Sequence, residues 1–359
     1  MKRLLLEYKT FQEHLLEIKT YLKTMSQSAI SSRLLHDIMG ETLGEDEKFY
    51  LSTLQETKNS QIVNNAIIIS LYGCFENYVS NILGVFLEIV LNNHKKHSEL
   101  PENLQKKYRE KIGEYLSAPQ RYKGFDLEFD KEIEKYNQVL NLNTLSCINK
   151  VFALAHSGNV HVDEICDIMS SLGISDGKSK ILDEPIFKEY YIPSFMDEHE
   201  FKLKRTNSIS DLFYPIEALI KQRNTVAHSW NNTDRLSLKE INNTIIPFID
   251  IFCDCLCRIC IRESLSFKKV EKNAFKIKKP INVYDNHIVC FNSSNKNIRI
   301  SDYLIYKTGA RVYVGRIITI QKDHEEKETI AKDLSVDIGV KLDTPIKIES
   351  RIQAIVDDL

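Results

Sequence analysis

Residues 66–91 read AIIISLYGCFENYVSNILGVFLEIVL, and in this chain they come nearest to uninterrupted apolar sequence. Polar residues nevertheless recur through the stretch, among them Glu76, Asn81 and Glu88. A helix that crosses a bilayer needs about 20 consecutive, predominantly apolar residues. The stretch therefore predicts a helix buried in a bundle of helices, and no insertion into a membrane is expected.

Helical periodicity extends on both sides of this stretch. Leucine and isoleucine recur at helical spacing in residues 1–25, and residues 61–93 form the longest helical run. A polar, broken connection is expected over 26–46, and another helix over 104–116. The last helix, 238–265, has a near-continuous apolar face, which predicts a central place in the bundle.

The composition changes after residue 267. Six lysines precede Pro280 and form a basic linker, residues 268–280, which would suit either a solvated hinge or an RNA backbone. Short runs of β-branched and aromatic residues then alternate with turn residues over 281–359. The sequence thus predicts an α+β protein: an all-α helical bundle over residues 1–267, with its core at about 60–265, followed by a small all-β module, a compact barrel or sandwich.

Charge and cysteine content limit the class of protein. The 48 basic and 50 acidic residues nearly balance, so bulk electrostatic binding to nucleic acid is not expected, and any RNA contact would be a local patch. Eight cysteines are too few for a disulfide scaffold, and no signal peptide precedes them. We therefore expect a cytoplasmic protein.

Half of the cysteines lie in one short segment, which invites a metal interpretation. They are Cys253, Cys255, Cys257 and Cys260. On a helix, Cys253 and Cys257 share a face while Cys255 points elsewhere, whereas structural zinc sites prefer ligands on turns. Free cysteine packs as a small hydrophobe. Packing is the favoured interpretation, and neither a metal nor another cofactor is expected.

Residues 223–228 read RNTVAH and close a predicted amphipathic helix. Arginine is a permanent cation whose planar fork matches a phosphate, and histidine readily moves protons near neutral pH. Together they are the minimum equipment for breaking a phosphodiester without a metal. Most such pairs are ordinary surface residues, so chemistry alone is weak evidence. In a helix, Arg223 and His228 lie about 140° and about 7.5 Å apart. Only the long arginine side chain, or a second subunit, would bring both groups to one phosphate.

Residues 216–228, IEALIKQRNTVAH, resemble the signature of the HEPN superfamily: an arginine, usually followed by a polar residue, and a histidine four to six positions after the arginine. Residues 71–79, LYGCFENYV, resemble the aromatic-acidic motif on the long early helix of the prokaryotic branch found in toxin and phage-defence loci. The resemblance covers approximately residues 60–265. Ser229 and Trp230 depart from it, because many members carry a glycine after the histidine or a tyrosine two places on.

The resemblance implies a metal-independent endoribonuclease that leaves a 2′,3′-cyclic phosphate. Arg223 and His228 would be catalytic, with Asn224 in support. It further implies a homodimer with a composite active site, RNA as substrate and a toxin or phage-defence role. The β-rich module would then select the substrate, sense a trigger or bind a neutralising partner, and the sequence does not choose among these. Two alternatives stay open: a non-catalytic dimeric adaptor, and a module that binds a nucleotide or phosphate without cleaving it.

Other polar residues have two interpretations each. Glu76 would be costly to bury without a partner. It is either a supporting residue that orients Arg223 or His228, as the resemblance suggests, or a solvent-facing residue. His156 and His161 flank a short Ser-Gly-Asn segment that would suit a ligand. Without a third ligand nearby in sequence, a satisfied or exposed histidine pair is expected there.

Overall fold

The computed structural model describes residues 2–39, 42–59, 61–155, 158–228, 235–267, 280–293, 297–308, 311–331 and 335–355. Of His228, the backbone is described and the side chain is not. The predicted basic linker lies outside the described residues, apart from Pro280.

The described residues form thirteen α-helices followed by nine β-strands, which confirms the predicted α+β class. The helices are α1 (Lys2–Met39), α2 (Glu45–Asn59), α3 (Gln61–Asn93), α4 (Glu102–Ser117), α5 (Phe129–Leu142), α6 (Lys150–Ala153), α7 (Val162–Ser171), α8 (Gly177–Leu182), α9 (Pro185–Phe195), α10 (Glu198–Asn207), α11 (Tyr214–His228), α12 (Leu238–Glu240) and α13 (Ile246–Ser264). The strands are β1 (Asn282–Tyr284), β2 (Ile288–Asn292), β3 (Ile298–Arg299), β4 (Tyr303–Thr308), β5 (Arg311–Lys322), β6 (Glu325–Lys327), β7 (Thr329–Ile330), β8 (Asp337–Leu342) and β9 (Arg351–Ile355).

Helix α3 lies at the centre of the bundle and spans the predicted residues 61–93. It packs against α1, α11 and α13, and residues from Ile67 to Val90 are buried along it. By length and composition alone, it is the one helix among the described residues that would reach across a membrane. Because 61% of its most apolar window is buried inside the protein, it also has the character of a bundle core helix.

Helix α1 corrects two predictions. It is the longest helix, at 38 residues, and it continues through the polar residues that we expected to break the chain between 26 and 46. Ser32 is buried there, and its hydroxyl donates a hydrogen bond to the carbonyl oxygen of Leu51 on α2 at 2.6 Å. Small polar residues are thus accommodated where α1 and α2 pack together, and the helix ends only at Met39.

The last helical segment begins as predicted. The backbone N–H of Glu240 donates to Ser237 Oγ at 3.1 Å, and the N–H of Ser237 donates to Glu240 Oε2 at 2.8 Å, which is a capping box. A π-helical turn, Ile241–Ile245, then joins α12 to α13. Nearly the whole of α13 is buried, which confirms its predicted central place.

The strands form a small antiparallel module. Its main sheet has the order β1-β2-β8-β5-β4-β9, with β6 paired to β5, and β3 pairs with β7 separately. Strand β5 pairs with β4 from Tyr303↔Arg316 to Thr308↔Arg311, and it pairs with β8 from Ile317↔Leu342 to Gln321↔Gly339, with a bulge between Ile317 and Thr319. Bulges bend a strand, and this one carries β5 from one half of the sheet to the other.

The sheet packs directly onto the bundle through β4. Leu304 and Tyr306 lie in the core of the β-module, whereas Tyr303 and Ile305 lie in the core of the bundle. The Tyr303 hydroxyl donates a hydrogen bond to Asp254 Oδ1 on α13 at 2.7 Å. Strand β4 is therefore buried on both faces and joins the two cores.

Candidate functional site

Arg223 lies half-buried near the C-terminal end of α11. Residues three and four apart share a helix face, and Arg223 follows the buried Leu219 and Ile220 at these spacings. Its guanidinium carbon lies 5.1 Å from the ring centroid of Tyr72 on α3, in cation–π range. The packing of α11 on α3 thus holds the cation at the edge of the buried face.

The guanidinium of Arg223 is sparsely satisfied. Its Nη1 donates a hydrogen bond to Asn224 Oδ1 at 3.2 Å. Within the described part of the chain, no carboxylate forms an ion pair with it. An arginine side chain has five N–H donors, and the described residues leave most of them available to a bound phosphate.

Tyr72 connects Arg223 to Glu76. The Tyr72 hydroxyl donates to Glu76 Oε1 at 3.0 Å, one helical turn along α3, and accepts from the backbone N–H of Val160 at 3.1 Å. Burial raises the pKa of Tyr72 to about 12, so the hydroxyl stays protonated at neutral pH. Glu76 is half-buried, and Tyr72 lies between its carboxylate and Arg223, so a supporting role for Glu76 stays a prediction.

Asn224 is held by the segment that precedes α7. Asn159 Nδ2 donates to Asn224 Oδ1 at 3.0 Å, so this oxygen accepts from both Asn159 and Arg223. Nothing in the described ranges accepts a hydrogen bond from the Asn224 side-chain nitrogen. The amide is thereby oriented, and its N–H groups are free to donate to a ligand. We call Tyr72, Glu76, Asn159, Arg223 and Asn224 the Arg223 cluster.

Helix α11 is described as far as His228, whose backbone is helical. The five-residue helical spacing from Arg223 therefore holds for the backbone. The imidazole of His228 lies outside the described residues.

The sequence did not anticipate a second polar contact, near the other end of α11. His161 Nδ1 lies 2.7 Å from Glu217 Oε2, and the N–H of Val162 donates to Glu217 Oε1 at 3.3 Å. His161 was expected to be exposed or satisfied, and here it has a carboxylate partner, while His156 lies outside the described residues. A sequence signal did exist, because Glu164 three residues after His161 completes a capping box that places His161 at the start of α7.

The cysteine-rich segment lies in the core of the bundle. Cys253, Cys255, Cys257 and Cys260 have no exposed surface, and Cys257 Sγ donates to the carbonyl oxygen of Leu4 at 3.8 Å. Burial raises the pKa of all four thiols above the usual range. They are therefore packed as protonated thiols.

The Arg223 cluster can bind an anion. It offers a cation with unused donors, an oriented amide and an aromatic face under the guanidinium. Charge-assisted hydrogen bonds from arginine suit phosphate oxygens, and they are stronger than hydrogen bonds between neutral groups. The proton transfers of phosphodiester cleavage would need a further group, and His228 at the end of the same helix is the titratable residue closest in sequence.

A family model described as RiboL-PSP-HEPN matches residues 45–262, more than half of the 359 residues. The matched range contains the whole Arg223 cluster and His228, and it stops before the β-strands. No curated protein and no solved structure matches the chain. The HEPN family generally includes ribonucleases, which supports a nuclease or RNA-related function for this protein. The chain belongs to the RiboL-PSP-HEPN family and thus to the HEPN superfamily.

Proposed function

We propose that this protein is a metal-independent endoribonuclease with Arg223 and His228 as its catalytic residues. The observation that carries the proposal is the state of Arg223, which is half-buried over Tyr72 and has no carboxylate partner in the described ranges. An arginine that serves only stability is normally neutralised when it is buried. A cation oriented yet left unpaired is suited to a negatively charged substrate.

The reaction is an attack by the ribose 2′-hydroxyl on the adjacent phosphorus. The O2′–P bond forms and the P–O5′ bond breaks, which leaves a 2′,3′-cyclic phosphate and a 5′-hydroxyl. His228 takes the proton from the 2′-hydroxyl or delivers one to the departing 5′-oxygen. Arg223 and the amide of Asn224 donate hydrogen bonds to the phosphate oxygens, where charge builds up.

The substrate groove is composite and lies between two copies of the chain. Arg223 and His228 of one α11 are about 140° apart around the helix, so one subunit presents them in different directions. Across a two-fold axis, the arginine of one copy would face the histidine of the other. The Glu76–Tyr72 pair positions the arginine, and the β-rich module selects RNA or binds a sensing or neutralising partner.

The direct test is cleavage of end-labelled RNA by purified full-length protein in EDTA. We expect cleavage by the wild type, and a loss of about 100-fold or more in Arg223→Ala and His228→Ala, as is typical when a phosphate-stabilising donor or a general acid-base group is removed. Mass spectrometry of the fragments should show 2′,3′-cyclic phosphate ends. The same strand with 2′-deoxyriboses should stay intact.

The matched control is Lys221→Ala. Lys221 is exposed on α11, two residues before Arg223, and its replacement removes one positive charge at the surface of the same helix. Its cleavage rate should stay within about twofold of the wild type. A correctly folded His228→Ala variant that still cleaves at the wild-type rate would exclude the catalytic role of His228. RNA binding without cleavage by the wild type would instead favour a binding module.

Mixing two inactive variants tests the composite groove. In a heterodimer of Arg223→Ala and His228→Ala, one site loses both groups and the other keeps both. Activity should therefore reappear on mixing if each site draws on two subunits. Light scattering gives the oligomeric state, and a strict monomer that still cleaves RNA would rule out this part of the proposal.

Toxin or phage-defence action in the cytoplasm is the biological role that we attach to this activity. It predicts that expression of the wild type slows bacterial growth, whereas His228→Ala expressed at the same level does not. Equal growth of the two strains would argue against a toxic role, even if the purified enzyme cleaves RNA.

A further inference from the structure

A cavity of about 730 Å³ lies on the α3 face near Gly84, and no residue of the Arg223 cluster lines it, although Val160 borders the cavity and donates a hydrogen bond to Tyr72. Helices α1, α4 and α7 and the segment around Leu154 complete its walls. Pockets for small ligands usually measure roughly 300–1,000 Å³, so this one has the size for a molecule of about 20 to 30 non-hydrogen atoms. No step of the proposed cleavage uses it.

The floor of the cavity is apolar. Val79, Leu83 and Gly84 of α3 contribute to it, together with Leu154 and Ile168. At one side stand two aromatic rings, those of Tyr122 and Phe125, with centroids 6.3 Å apart. The Phe125 side chain is 53% exposed although it borders an apolar cavity. Such walls suit the faces of a flat, apolar ring system.

The rim of the cavity is more basic than acidic. Arg3, Lys111, Arg121 and Lys150 line it, against Glu7 and Glu114. Most of these cations are already paired: Arg3 and Lys150 both contact Glu88, and Lys111 contacts Glu114 at 2.9 Å.

Arg121 is the exception on this rim. Its guanidinium makes no hydrogen bond or ion pair with the described residues, and it adjoins Tyr122 in sequence. Glu114 is close enough to interact with Arg121 electrostatically but does not pair with it directly, so the guanidinium beside the two aromatic rings keeps its hydrogen-bond donors unused among the described residues. A neutral ligand would leave this group unused, and an anionic one would satisfy it.

We propose that this cavity binds a small aromatic anion of nucleoside monophosphate size. The ring system packs on the apolar floor and against Tyr122 and Phe125, and the phosphate or an equivalent anionic group lies at Arg121. A volume of about 730 Å³ suits a single small molecule rather than an RNA strand or a peptide. The proposal does not depend on whether the protein cleaves RNA.

The test is calorimetric titration of the full-length protein with two probes, AMP and 1-naphthalenesulfonate. At least one of them should bind, and adenosine, which has the same base but no phosphate, should bind at least tenfold more weakly than AMP. Arg121→Ala should weaken binding of the anions at least tenfold. Binding of neither probe, or equal binding of AMP and adenosine, would overturn the proposal.

Two glycines of α3 give a matched pair of variants. A Cβ at Gly84 would meet only Leu154 Cδ1, at 3.8 Å, so Gly84→Leu should fill the cavity without a clash at the Cβ. Gly73 lies on the same helix, is exposed and has nothing within 4 Å of a Cβ position, so Gly73→Leu matches the gain in helix propensity.

Gly84→Leu should lose at least tenfold in affinity for the aromatic anions, and Gly73→Leu should keep the wild-type affinity. If Gly84→Leu binds as well as the wild type, the ligand site is elsewhere and the proposal fails. If Gly84→Leu does not fold, the loss expected in Arg121→Ala decides alone. Decanoate is the last comparison: tighter binding of this acyl anion than of either aromatic probe would overturn the assignment of a flat ring.

Discussion

Two arginines in this protein occupy opposite electrostatic states. Arg258 on α13 has no exposed surface, and Asp254, Asp343 and the carbonyl oxygen of Val314 surround it. Its Nε and Nη2 donate to the two carboxylate oxygens of Asp254 at 2.9 and 2.8 Å. Arg223 is half-buried and packs on an aromatic ring, and among the described residues its side chain donates one hydrogen bond, to its neighbour Asn224.

The difference separates structural from functional use of the same side chain. A buried charge is tolerated when opposite charges and hydrogen bonds satisfy it, and removing one partner then leaves an uncompensated buried charge. Arg258 meets this condition and joins the bundle to the β-module. Arg223 has no carboxylate partner among the described residues, although Glu76 accepts a hydrogen bond from Tyr72, the residue on whose ring Arg223 packs. An arginine that is not paired with a nearby carboxylate is the better candidate for binding an anion.

The strongest effect is expected when Arg258 is replaced. Arg258→Ala leaves the buried Asp254 without its ion-pair partner and leaves Asp343 with Arg316 alone, at 3.7 Å, which should lower the free energy of unfolding by about 3–5 kcal/mol. Urea denaturation followed by circular dichroism measures the change. Arg205→Ala is the control, because Arg205 pairs with Asp183 near the surface, with 30% of its side chain exposed, and should cost at most about 1 kcal/mol. Equal losses in the two variants would mean that burial does not distinguish these ion pairs.

A smaller effect is expected when Arg223 is given a carboxylate partner, as Arg258 has. Asn224→Asp places a carboxylate where Asn224 Oδ1 already accepts from Arg223, with little change in shape. The new charge should compete with phosphate for the guanidinium, so RNA cleavage should fall by about tenfold or more, while Tm stays within about 2 °C.

The control for this variant is Asn242→Asp, which adds the same charge at an exposed asparagine of the π-helical turn. It should cleave RNA at the wild-type rate. Full cleavage by Asn224→Asp would show that Arg223 does not need to be unpaired, and the contrast with Arg258 would then carry no functional meaning.

The sequence predicted what depends on neighbouring residues. The extent of α3, the start of the last helical segment at residue 238 and the helical backbone of residues 223–228 all follow from helical spacing. The resemblance to HEPN proteins, confirmed by the family match, likewise rests on short motifs.

What the sequence did not predict depends on contacts between distant segments. Tyr72 is fixed by Val160, 88 residues away, and Asn224 by Asn159, 65 residues away. The partners of Arg258 in the β-module are 56 and 85 residues distant, so no periodic pattern reveals them. The sequence also placed the end of α1 too early. The polar residues after 26 indicated a break in the helix, and the hydrogen bond from Ser32 to α2 is a contact between distant segments that the sequence does not reveal.

A third cation tests how strongly partial burial of a positive charge destabilises the folded protein. Lys107 on α4 is partly buried, and burial together with the nearby Lys111 lowers its pKa to about 8, from an ordinary value near 10.5. Below pH 8 the folded protein therefore keeps a charge that burial disfavours. As the pH rises from 8 towards 10.5, the folded state releases this proton before the unfolded state does, and the cost disappears.

Lys107→Met should therefore raise Tm at pH 7 by about 1–2 °C, a modest gain because solvent screens the partly exposed amine. The advantage over the wild type should narrow at pH 9.5, where the wild-type lysine is largely neutral in the folded state. Lys106→Met is the control, since Lys106 is 71% exposed and pairs with Glu110 at 3.9 Å, and it should show neither the gain nor the pH dependence. A gain of equal size at both pH values would instead point to better packing of the methionine. Partial burial of a cation would then destabilise the folded protein too little to account for the carboxylate partners of Arg258, and only full burial of the cation would require such partners.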